Sequence, residues 1–240
     1  MTLALEAAAS STRAPRRSFV RFTSWSPRTA SLVAGTGLAV MAVTSGVGNF
    51  AGIVPLVVRG DAAATATAIA ASQPQFMLGI VGLAIAALLD FVVAAALYTL
   101  FRPTHPLLSA VAAWARAIYA LPFLFAISQL VAALTVLDDP PAALQAIERF
   151  STIWVTSLGL FGLHLVLTGV LAFRSGFMPR IFGVLLAIAG LGYLADAVGI
   201  WVVDGFSATF GQFLFAGEVV VIFWLLIRGR RLPAAQPAQS

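Results

Sequence analysis

Residues 76–100 read FMLGIVGLAIAALLDFVVAAALYTL, an apolar run of 25 residues with one charge, Asp90. The hydrocarbon core of a bilayer is about 30 Å thick, and about 20 mostly apolar residues of helix cross it. This run has that length. It lacks the apolar–polar alternation of a barrel strand and is too long to be one. A helix also satisfies its backbone N–H and C=O groups internally, which hydrocarbon demands. Five further runs qualify, at 31–57, 107–137, 152–173, 181–203 and 208–227. The sequence therefore predicts an all-α polytopic membrane protein with six transmembrane helices in one bundle. A basic tail over 1–28 and a Pro/Gln/Ala tail over 230–240, both read as disordered, flank a transmembrane domain over 29–229.

Composition leads to the same class. Of 240 residues, 60% are hydrophobic and 10% charged, against about 25% charged in soluble domains. So few charges leave a soluble fold with an aggregating surface, and disorder needs the opposite composition. Cysteine is absent and all 14 basic residues are arginine, which excludes thiol and Schiff-base chemistry. Two histidines, His105 and His164, are too few for a three-histidine metal centre. No phosphate-cradling loop, dinucleotide fingerprint, His-Glu-x-x-His or nucleic-acid motif occurs. No cofactor, metal or catalytic residue is expected.

The arginines give an orientation. Threading six helices places Arg13, Arg16, Arg17, Arg21, Arg28, Arg102, Arg174, Arg180, Arg228, Arg230 and Arg231 on one side. Only Arg59 and Arg149 fall on the other. By the positive-inside rule both termini are expected to be cytoplasmic. The run Arg16-Arg17-Ser18-Phe19 resembles a twin-arginine export signal, but no soluble domain follows it, and an orienting tail is the preferred reading. On the outer side, Asp61 before an Ala/Thr run and Asp139 before Pro140-Pro141 are helix-start signals. Each is expected to open a short interfacial helix. Ser45-Gly46-Val47-Gly48-Asn49 is the expected break in the first span.

Five ionisable side chains fall inside the spans: Asp90, Arg116, His164, Asp196 and Glu218. A charge at mid-helix costs about 2.5–3.5 kcal/mol on the most lenient scale. Counting about 1.5 Å per residue from the cytoplasmic ends puts four of them in one midplane layer. Asp196 lies one to two turns nearer the outside. Asp90 and Arg116 sit on consecutive helices joined by a short loop, so they are expected to form an ion pair. Ser157 and Thr168 share a helical face with His164. Tyr119 follows Arg116 by three residues, Tyr193 precedes Asp196 by three, and Tyr98 closes the second span. Gly183/Ala187 and Ala195/Gly199 are small-residue pairs that permit close helix packing.

Four stretches carry a family resemblance. They are Asp90-x7-Tyr98, Arg116, the segment from His164-Leu165-x3-Gly169 to Phe173-x-Ser175-Gly176-Phe177-Met178-Pro179-Arg180, and Ala189-Gly190-Leu191-Gly192-Tyr193-Leu194-x-Asp196 with Gly217-Glu218. From Arg28 to Gly229 the chain resembles the bacterial integral membrane proteins of domain-of-unknown-function family 4386. The resemblance implies six helices and no assigned activity, and it carries over no site residue. Three functions stay open. The polar layer binds or passes a small solute or proton; it is purely architectural, in a partner of another membrane protein or a homo-oligomer; or, least favoured, it serves an intramembrane hydrolase. The lipid bilayer is the one expected partner common to all three.

Overall fold

The computed structural model describes residues 25–211 and 216–232. Most of both expected tails, with the Arg16-Arg17 pair, lies outside the described residues. Within them, Ser26 accepts a hydrogen bond from Thr29 N–H (3.1 Å) and Pro27 opens α1, Pro27–Gly46. Asp61 likewise caps α2, Ala62–Ala71, at Ala64 N–H (2.9 Å). α3 spans Gln73–Phe101 and α4 spans Pro106–Thr135, the latter capped by His105. α5, Pro140–Arg174, is capped by Asp139; α6 is Arg180–Val202 and α7 is Ala216–Ile227. α1, α4 and α5 are cap-then-proline starts, in which the residue that cannot donate sits where no intrahelical partner exists.

Two expectations need correction. The glycine-rich end of the first span does not break. It widens into a π-helix, Val47–Ile53, and ends in a 3-10 turn, Val54–Leu56. The helix opened by Asp139 does not stop short of the membrane either. No Gly or Pro interrupts Ala142 to Leu158, so α5 runs unbroken for 35 residues, about 52 Å. Its first turns bury Ala143, Ala146, Ile147 and Phe150, and α2 packs against it. The short helix expected after Asp61 is present as α2.

Among the described residues, five helical segments are long and apolar enough to cross a membrane: Pro27–Leu56, α3, α4, α5 and α6. Together with α7 they pack in chain order, each on the next, and α7 closes back on α1. The closure is fixed by the Ser31 hydroxyl, which donates to the Leu225 carbonyl (3.0 Å). At that same end Phe101 stacks on Phe177 (5.7 Å), and Phe177 meets Trp224 (6.0 Å). Arg28, Arg102, Arg174, Arg180, Arg228, Arg230 and Arg231 therefore gather at one end of the ring. The outward faces expose Trp114, Leu121 and Phe125 on α4 and Trp201 on α6, as a lipid-facing surface does and a soluble one does not.

Glycines set the helix spacing. Gly162 and Gly169 on α5 are seven residues apart, two helical turns, as are Gly183 and Gly190 on antiparallel α6. Gly190 therefore faces Gly162 while Gly183 faces Gly169, with backbone against backbone. The expected Gly183/Ala187 pair is part of this seam. The Ala195/Gly199 pair is not, because Ala195 is exposed and Gly199 faces the Phe206 ring. A Cβ on Gly190 would stand 2.5 Å from the Gly162 carbonyl oxygen, whereas one on Gly46 meets nothing within 4 Å. The same substitution should therefore have opposite signs at the two sites. In thermal unfolding of the detergent-purified protein, Gly190→Ala should cost about 1–3 kcal/mol. Gly46→Ala should cost nothing and gain up to about 1 kcal/mol.

Candidate functional site

Inside the ring, α4 carries Arg116 at 1% exposure. A guanidinium has five N–H donors and no acceptor, and α1, α3 and α5 all supply it partners. From α3, Asp90 Oδ1 stands 2.8 Å from Nε, the expected ion pair. The approach is out of line for a hydrogen bond, and Asp90 Oδ2 has no partner among the described residues. From α5, His164 Nε2 accepts from Nη1–H (3.2 Å). From α1, Met41 Sδ accepts from Nη2–H (3.6 Å). The Phe161 ring lies under the guanidinium carbon at 5.1 Å, a cation–π contact that burial strengthens.

The tautomer of His164 follows from its neighbours. Arg116 can only donate, so Nε2 must accept and Nδ1 carries the proton. Nδ1–H donates to the Ala112 carbonyl (2.8 Å), one turn before Arg116 on the same helix. The Thr168 hydroxyl lies 3.5 Å from Nδ1. His164 thus holds α5 to α4 at two heights, through a side chain and through a backbone carbonyl.

Glu218, on α7, completes the layer. It is half-buried, and its Oε1 is enclosed without a partner among the described residues. Arg116, His164, Thr168 and Glu218 share a cavity of about 20 Å³ otherwise walled by apolar side chains such as Leu38 and Leu165. That volume admits about one water molecule.

Asp196 stands apart from this cluster. Its Oδ1 accepts from Thr209 N–H (3.0 Å) and Phe210 N–H (3.1 Å), and its Oδ2 from Gly211 N–H (2.7 Å). From α6 it caps the helical turn that opens at Phe210, a structural use that satisfies donors a helix leaves open.

The supporting residues divide in the same way. Tyr193 and Thr168 border the cluster. Tyr119 accepts from Trp154 Nε1–H (3.3 Å) and packs on Phe123 and Phe161. The buried Ser157 hydroxyl donates to Trp154 O on its own helix (2.7 Å). Tyr98 lies on the outer face between α3 and α4. Met41 and Phe161 were not predicted. Phe161 is three residues from His164, so helical spacing could have found it; a methionine in an apolar span gives no such signal. Among the described residues no group of three metal-ligating side chains occurs.

These features define the class: a polytopic helical membrane protein built around a buried arginine network. The chain belongs to the family described as Domain of unknown function (DUF4386), whose profile matches residues 33–229. It is 36% identical over 158 residues to an uncharacterised protein of Archaeoglobus fulgidus, covering 64% of this chain and 85% of that one. No solved structure matches it.

The Asp90–Arg116 pair makes a specific energetic prediction. Removing one member leaves the other buried and unpaired, which costs about 3–5 kcal/mol. Asp90→Leu and Arg116→Met should each lose about that much stability in detergent unfolding. The double variant should lose clearly less than their sum, and additive losses would mean that the two side chains do not interact.

Proposed function

We propose that this is a six-span protein of the bacterial inner membrane, with both termini cytoplasmic, whose midplane layer takes up and passes a proton or a solute no larger than water. α7 supports the sixth span through its contacts with α1 and α6, and the arginine-rich end supports the orientation. One observation carries the functional reading: Glu218 Oε1, without a partner among the described residues, belongs to a side chain that lines a cavity of about 20 Å³ together with Arg116. An ionisable group left unpaired inside a bundle is a functional candidate by default. The size of the cavity argues against a larger organic solute.

A second reading has its own support. Arg116 is held by Asp90, His164, Met41 and Phe161, as an architectural clamp in a homo-oligomer or in a subunit of another membrane protein would be. Proteoliposomes with an internal pH dye and an imposed potential separate the two. The first reading predicts proton entry above protein-free vesicles, reduced at least about tenfold by Glu218→Gln, a loss of about 1.4 kcal/mol or more. Asp196→Asn should keep the flux, since Asp196 lies outside the cavity. Wild-type flux equal to that of empty vesicles favours the clamp.

A further inference from the structure

On the outer face, α3 and α4 enclose a second and much larger concavity of about 610 Å³. Its floor is alanine: Ala95 from α3, and Ala110, Ala113 and Ala117 from α4, with Phe91 and Tyr98 along the α3 wall. Both sets of positions recur at helical spacing, so each forms one continuous face. From Phe91 to Arg102 is eleven residues, about 16 Å of helix. That is about half the hydrocarbon thickness, the depth of a single leaflet.

Arg102 and His105 lie in the α3–α4 loop, beyond the end of the groove that Tyr98 and Ala110 line. Arg102 N–H donates to the Tyr98 carbonyl (2.8 Å), and Arg102 keeps helical backbone angles. Its exposed side chain therefore continues the Phe91–Ala95–Tyr98 face one turn beyond the apolar part. His105 follows in the same loop. Its Nδ1 accepts from Leu108 N–H (3.1 Å), which leaves the exposed Nε2 as the N–H donor. The groove thus joins an acyl-chain-length apolar slot to donors suited to a phosphate at headgroup level.

We infer that the α3–α4 groove is a binding site for one anionic phospholipid, with an acyl chain on the alanine floor and the phosphate at Arg102 and His105. Lipid tails are as apolar as the side chains they touch, so the floor selects shape and not charge. Preference for an anionic headgroup comes from that loop, at about fivefold for one arginine.

Native mass spectrometry tests this on full-length protein reconstituted with equal amounts of phosphatidylglycerol and phosphatidylcholine of matched chains, then released in mild detergent. One retained phospholipid per chain is expected, with phosphatidylglycerol favoured about fivefold or more. Arg102→Gln should bring the preference close to parity. Arg174→Gln, exposed at the same end of the bundle, should leave it unchanged. Ala117→Leu, which fills the floor, should lower the number of lipids retained. Both arginine positions are exposed, so their comparison holds even if the leucine variant does not fold. Three outcomes would overturn the site: no headgroup preference in the wild type, equal loss from Arg102→Gln and Arg174→Gln, or a chain dimer that Ala117→Leu dissociates. The last would assign the groove to a second copy.

Discussion

A guanidinium enclosed at the centre of an apolar bundle cannot lose its proton and, at 1% exposure, is cut off from bulk solvent. Its charge and donors must be met by the protein, and the fold is arranged around that demand. Asp90 supplies the opposite charge from α3, His164 an acceptor nitrogen from α5, and Met41 a soft acceptor from α1, while Phe161 covers one face. Arg116 therefore fixes the rotation of three helices besides its own. A one-residue slip of any of them would turn its partner by about 100° and leave a buried charge exposed to hydrocarbon.

Such a node requires helices that approach closely. The Gly162/Gly190 and Gly169/Gly183 contacts bring α5 and α6 backbone to backbone, and Gly48 and Gly52 bring the π-helical segment against Gly79 and Gly82 of α3. Close packing in lipid gains van der Waals contact where no hydrophobic drive exists. Asp196 works at the other edge of the same architecture, holding the helical turn that opens at Phe210 through three backbone N–H groups. The ionisable residues within the helices thus have two separate uses, a central layer and a remote cap.

The helices and the Asp90–Arg116 pair were legible in the sequence because lipid makes the code simple. Apolar length sets a span, and two opposite charges on consecutive short-linked helices have one obvious way to meet. The Asp61, Asp139 and proline signals were also legible as helix starts. Helix ends were less so: nothing local stops α5 at the membrane surface, and a glycine-rich stretch can widen into a π-helix as readily as break. Depth already sets Asp196 one to two turns outside the layer, but its use was not legible, because its partners at Thr209, Phe210 and Gly211 are backbone groups with no side-chain signature. Met41 was invisible for a related reason, since a thioether reads as apolar until a cation stands beside it.

With only two histidines in the chain, the central node can be tested at a single ring. Arg116 requires His164 Nε2 to accept, so His164 carries its proton on Nδ1. His105, whose Nδ1 accepts from Leu108 N–H, carries a proton on Nε2 and serves as an internal reference. Solid-state nitrogen NMR of the ¹⁵N-histidine-labelled protein in lipid, with His105→Asn to assign the signals, should show His164 protonated at Nδ1 and bare at Nε2. A proton on His164 Nε2 would mean that Arg116 does not donate to it, and would contradict the clamp around which the helices are arranged.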